Sequence, residues 1–251
     1  MRTIAIAATI TITALLGSMA QGQASEVTIL SSSGSTPILQ ILAAAFEKST
    51  GHKAIVSGQQ SQVMKQKIDT DAPGDLVAQA SDQLDDLVKR GKVVAGTVKD
   101  YARAGNGVAV KAGAPKPDIS TPEAFKRAML AAKSIGHTDS GTGPFNTRLF
   151  QKLGIYDEIK NKIKIIDGGR VGTAVAAGDV EIGIQQASVI MSAPGTDFVG
   201  PIPADLTEYS HYGIGVLTVS KDPETARAFI SFLGSPAAGD TLRRNAMEPV
   251  P

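Results

Sequence analysis

From Val27 onward, short apolar runs of strand length alternate with amphipathic stretches of helix length, and that alternation leaves few folds open. A chain that repeats strand, helix, strand must bury one face of each helix against a sheet, which argues for parallel sheets with helices on both faces. The periodicity predicts strands at 27–30, 54–56 and 75–78, with helices over 37–49, from about 62, and over 82–90. Thr36–Pro37 reads as an N-cap with proline in the first turn, Ile38, Ile41, Leu42, Ala45 and Phe46 as the buried stripe, and Gly51 as the stop. After Gly105–Gly107 the pattern begins afresh: "GVAVKAG", "KSIGHT", "KIKIID" and "VEIGIQQAS" read as strands with helices between them. A late strand in "YGIGVLTVS" looks like a return, and "PETARAFISFLGSPAAGDTLRR" supplies one or two closing helices. The expected organisation is therefore a first lobe over 25–106, completed by 216–251, and a second over 107–215. Two crossovers between them imply a hinge, and ligands of open α/β sheets bind outside the carboxyl ends of strands.

Residues 1–24, "MRTIAIAATITITALLGSMAQGQA", carry one basic residue, an apolar run and then small residues. This is the build of a cleaved secretory signal peptide with Ala20 or Ala24 as its last residue. The apolar run is shorter than the roughly 20 residues a bilayer span needs. There is no cysteine, so disulfides, thiolate metal sites, thiol nucleophiles and a lipidated cysteine are excluded. About 227 residues remain after the leader, enough for one large domain or two of roughly 100. With 25 Lys+Arg against 24 Asp+Glu and 4% aromatic residues, no basic or stacking surface for nucleic acid is expected. His52, His137 and His211 lack zinc-type spacing, and no metal or other cofactor is expected. No Gly-x-Ser-x-Gly elbow or phosphate-loop signature points to a hydrolase.

Four predicted strand-to-helix turns share one composition: Ser31–Ser35 with Gly34, Gly58–Ser61, Asp139–Gly143 and Gly168–Gly172. Helix N-termini offer unpaired N–H groups and about half a positive charge, so several aimed at one cleft make an anion site. Taken singly, each turn could as well cap its own helix. Arg170, in "GGRVG", would form a bidentate pair with a carboxylate ligand or an ion pair across the cleft. His137 ends a strand beside the third turn, where it would carry protons or be hydrogen-bonded under the loop. Arg148 reads as a solvated helix residue, Glu208, Tyr209 and His211 as hinge and rim, and Lys65 and Lys67 as solvated.

In the order and spacing of "VTILSSSGSTPILQILAAAFEKSTG", "IDTDAPGDLVAQAS", "QKLGIYD", "GRVGTAVAAGDVEIGI" and "ARAFISFLGSPAA", the chain resembles the periplasmic molybdate-binding proteins of ABC importers. The resemblance covers essentially everything after the leader. It implies the type 2 architecture, two Rossmann-like α/β lobes joined by two crossover strands, which closes on an anion and hands it to an inner-membrane permease. It further implies a periplasmic monomer whose ligand positions fall on Gly34, flanked by Ser33 and Ser35, then Ser61 beside Gln60, Thr142, Gly169 beside Arg170, and Gln186. Serine is expected at position 34 and tyrosine at 186, so two donors depart from the family pattern and favour a larger organic anion over molybdate. The same scaffold is used by a periplasmic isomerase that interconverts cis- and trans-aconitate. On that alternative, His137 is the candidate acid–base residue.

Overall fold

The computed structural model describes residues 24–32, 34–139, 142–169 and 171–250. Ser33, Arg170 and residues 1–23 of the expected leader lie outside the described residues, as does the side chain of Ser61. The chain runs β1 (Glu26–Ser32), α1 (Thr36–Thr50), β2 (Lys53–Gln59), α2 (Ser61–Asp69), β3 (Leu76–Ala80), α3 (Ser81–Lys89) and β4 (Lys99–Ala104). It then crosses to β5 (Asn106–Lys111), α4 (Pro122–Ala131), β6 (Ile135–His137), α5 (Gly143–Lys152), α6 (Tyr156–Ile159), β7 (Ile163–Ile165), α7 (Val171–Ala177), β8 (Ile182–Gln186), α8 (Ala187–Ile190) and β9 (Thr196–Pro201). It returns through β10 (Ser210–Val216), α9 (Pro223–Leu233), α10 (Pro236–Arg244) and β11 (Glu248–Pro249).

These strands form two sheets, ordered β11-β4-β10-β3-β1-β2 and β7-β6-β8-β5-β9. Both are mixed rather than wholly parallel. The βα repeats produce the parallel pairs β1–β2, β1–β3, β6–β7 and β6–β8. The crossover strands enter against that direction, so β10 pairs antiparallel with β3 and β4, and β5 with β8 and β9. The return into the first sheet comes at Ser210, not at 216, because Tyr212–Val216 fill the ladder beside β3.

Helices cover both faces of each sheet, as the alternation requires. Val27, Ile29 and Leu76 pack with α1, α9 and α10, while Leu30 and Val77 face α2 and α3. In the second lobe, Ile135, Ile182 and Ile184 pack with α4–α6, and Ala109 with α7 and α8. The buried stripe of α1 is Ile38, Leu39, Leu42, Ala43 and Phe46. Ile41, expected inside, is 45% exposed, because α1 touches both the sheet and the closing helices and the stripe rotates toward Leu39 and Ala43. Phe46 meets Phe229 edge-on, with ring centroids 5.1 Å apart, an arrangement that adds about 0.5–1.5 kcal/mol beyond area burial. Gly51 ends α1 at φ 77°, its N–H bonded to the Glu47 carbonyl at 2.9 Å; a left-handed residue here favours glycine.

Candidate functional site in the interlobe cleft

The register of the sheets sets which turns are neighbours. Ser31 lies opposite Gly58 and Ser32 opposite Gln59, so the first and second turns leave adjacent strand ends side by side. In the second lobe, Asn106 lies opposite Gln186, and Asn106 Nδ2 donates to the Thr142 carbonyl at 3.3 Å. The Ile166 N–H bonds the His137 carbonyl at 2.9 Å, which brings the turn containing Gly169 alongside β6. Each lobe therefore gathers its own two turns at the carboxyl ends of its parallel strands.

Among the described residues, one side-chain hydrogen bond joins the two sets. Tyr212, on β10 of the first sheet, donates its hydroxyl to Oε1 of Gln186, on β8 of the second. A Cβ at Gly34 would lie 3.5 Å from the Tyr212 hydroxyl oxygen and 4.0 Å from Gln186 Oε1, so the first turn meets both groups. Tyr212 is 7% and Gln186 6% exposed. Burial pushes the Tyr212 phenol up to about 12, with the Gln186 bond opposing, so it remains a protonated donor. Gln186 Nε2 in turn donates to Ser188 Oγ at 2.7 Å, which holds the amide oxygen toward the first lobe.

The remaining expected residues fall as follows. Ser35 is fully buried, with Oγ 3.0 Å from Ser31 Oγ and 2.9 Å from Ser32 Oγ. Its hydroxyl braces the turn from inside, and its N–H closes onto the Ser32 carbonyl at 3.0 Å. Gln60 is exposed and forms the N-cap of α2, which Ser61 begins. Thr142 is half-buried at the N-cap of α5. At Gly143 a Cβ would sit 1.7 Å from the Thr138 carbonyl oxygen, so only glycine lets α5 start this close to the end of β6. Gly169 ends a 3-10 turn just before α7.

His137 is buried to 1% exposure, and its Nδ1 is 2.7 Å from the Thr138 carbonyl. A carbonyl only accepts, so Nδ1 carries the proton. Burial pushes the imidazole below its ordinary value, the Thr138 bond opposing, and Nε2 has no hydrogen-bond partner among the described residues.

Tyr209, read from the sequence as hinge and rim, donates to Glu248 Oε1 at 3.0 Å, with the Arg103 guanidinium 4.3 Å above its ring. Tyr212 and Asn106 were missed. The run "YGIGV", buried continuously from Tyr212 to Val216 in β10, was the available signal for the first. Arg148 binds Glu208 at 2.7 Å on the exposed rim. A cavity of about 520 Å³ is lined by Lys116–Ser120, Val199–Ala204, Tyr209 and Glu248. It contains none of the turn residues, so size alone does not mark the site.

Comparison with known proteins agrees with this architecture. The chain is 33% identical over 231 residues to an aconitate isomerase from Pseudomonas sp, covering 90% of this chain and 88% of that one. It is 29% identical to the molybdate-binding protein ModA of Azotobacter vinelandii, covering 88% and 89%. The solved periplasmic molybdate-binding protein of Azotobacter vinelandii superposes with a TM-score of 0.68 at 20% identity, over 90% of this chain and 99% of that one, a likeness of fold. The sequence pattern of one family matches residues 27–248, nearly the whole described chain. The chain belongs to the bacterial extracellular solute-binding proteins.

Proposed function

We propose that this protein captures a small organic anion, a di- or tricarboxylate, in the interlobe cleft and presents it to an ABC-type permease. On this reading it works as a monomer in the periplasm after loss of its leader, with no cofactor. The observation that carries the reading is the Tyr212–Gln186 bond beside Gly34, where polar groups of both lobes meet among helix N-termini. A glycine at 34 and an amide at 186 leave more room than a serine–tyrosine pair would, which suits a carbon skeleton better than a compact tetrahedral oxyanion. Lobe closure about the two crossovers would bury the anion. A calorimetric panel of molybdate, sulfate, succinate, citrate and trans-aconitate tests this. The expected result is micromolar or tighter binding of a carboxylate, and an inert panel rejects capture of an anion.

A second reading is an isomerase, favoured by His137, whose Nδ1 bonds the Thr138 carbonyl and whose Nε2 has no partner among the described residues, and by the 33% identity to an aconitate isomerase. Nε2 would take a proton from the methylene carbon next to the double bond of trans-aconitate. The double bond would move one carbon along, and the imidazolium would return the proton to the far alkene carbon, with no net change in composition. Proton NMR of trans-aconitate incubated with the protein reports the cis isomer if this holds. Unchanged spectra at stoichiometric protein reject it.

A further inference from the structure

Two asparagines under the start of α5 leave polar atoms with no partner among the described residues. Asn106 is 1% and Asn146 0% exposed. Asn106 Nδ2 forks, reaching Asn146 Oδ1 at 2.8 Å and the Thr142 carbonyl at 3.3 Å. Because the Thr142 carbonyl can only accept, the network fixes which end of the Asn106 amide is nitrogen, and through it the orientation of Asn146. What remains is Asn106 Oδ1, an acceptor, and Asn146 Nδ2, a donor, both sealed from solvent and both unbonded. They flank a single hydrogen bond, so they lie within a few ångströms of each other. His137 Nε2 is a third such atom. Its ring lies 6.2 Å from that of Phe150, which is one turn beyond Asn146 on the same face of α5.

Buried polar atoms are rarely left unpaired, and each orphan calls for an occupant. The donor–acceptor count says what kind. One lone-pair acceptor, Asn106 Oδ1, and one donor, Asn146 Nδ2, cannot both be met by a bare carboxylate or oxyanion oxygen, which only accepts. We propose that an oxygen carrying a proton sits here, accepting from Asn146 Nδ2 and donating to Asn106 Oδ1. It comes either from the hydroxyl of a bound hydroxy acid or from a resident water. Because Asn106 also holds the Thr142 carbonyl, this oxygen ties ligand chemistry to the third turn. The ligand arm rests on the anion-capture reading; the water arm does not.

Two measurements on the leader-free protein decide the matter. Calorimetry compares the matched pairs citrate with tricarballylate and L-malate with succinate. If the ligand supplies the oxygen, the hydroxylated member binds about tenfold or more tightly, as one well-placed hydrogen bond allows. Asn146→Asp, similar in shape but with the donor replaced by an acceptor, then removes that preference. Crystals grown with and without citrate provide the second measurement. A resident water gives no hydroxyl preference but appears in ligand-free crystals within hydrogen-bond distance of both asparagines. The inference is overturned if neither crystal holds an oxygen there and the matched pairs bind alike. If no anion binds, capture fails while the ligand-free crystal still decides for or against the water.

Discussion

Replacing Tyr212 by phenylalanine removes one oxygen from the only described side-chain hydrogen bond that links the two sheets beside Gly34. The ring keeps its packing, since Tyr212 lies in the core cluster with Ile214 and Val216. The lost hydroxyl leaves Gln186 Oε1 buried without a donor, a cost of about 1–3 kcal/mol. For a chain of this size that lowers the melting temperature by about 2–4 °C per kcal/mol. If the same hydroxyl helps hold the anion, affinity falls further, and a donor bond to a charged group, about 1.5–3 kcal/mol, corresponds to roughly ten- to hundredfold. Differential scanning calorimetry reads the first quantity and titration with the tightest carboxylate the second. The phenol is pushed up to about 12, so the hydroxyl contribution to binding should be flat from pH 6 to 9. Above about pH 10 the unfolded tyrosine loses its proton first, and stability should fall as pH rises toward 12. A Tyr212→Phe protein that melts and binds as the wild type does would refute the interlobe role assigned to this residue.

Other perturbations follow from the same geometry. Gly143→Ala drives a methyl into the Thr138 carbonyl, so thermal unfolding should show a loss of 3 kcal/mol or more on the scale of severe core strain, with anion binding abolished at 25 °C. Gly34→Ser meets only an ordinary contact at 3.5 Å; it should fold normally and, by adding a hydroxyl and filling space, raise the molybdate-to-citrate affinity ratio in calorimetry. His137 has a depressed pKa, so the unfolded state gains its proton first and stability should fall as pH drops through the ordinary histidine range. His137→Gln should flatten that part of the melting-temperature profile. Arg148→Ala breaks an exposed pair and should shift stability by less than about 1 kcal/mol, leaving anion affinity unchanged.

Much of this was legible before the structure because strand-to-helix units declare themselves locally. The apolar runs of β1, β3 and β8 and the proline-started helices α1, α4 and α9 all stand near their expected positions. The strands that escaped, β4 "KDYARA", β9 "TDFVGP" and the two-residue β11, are antiparallel additions with little apolar signal. Sheet pairing alone creates them. Turn composition offered Gly34, Ser61 and Thr142 as candidates, and the family resemblance Gln186, but long-range packing decides which hydroxyl faces which lobe. Ser35 looked like a donor to a ligand, and its hydroxyl is instead held within its own turn by Ser31 and Ser32. Tyr212 stands 26 residues from its partner Gln186, a separation at which no helical or strand period speaks. The unpaired atoms of Asn106 and Asn146 are a property of packing and have no sequence signature.

A co-crystal structure with the tightest-binding anion probes the account at its centre. Capture between the lobes requires density for that anion in contact with the Gly34 turn on one side and with Gln186 or the Thr142 turn on the other, Tyr212 lying against it. An anion lodged instead in the flank cavity lined by Lys116, Tyr209 and Glu248, with the interlobe turns untouched, would contradict it.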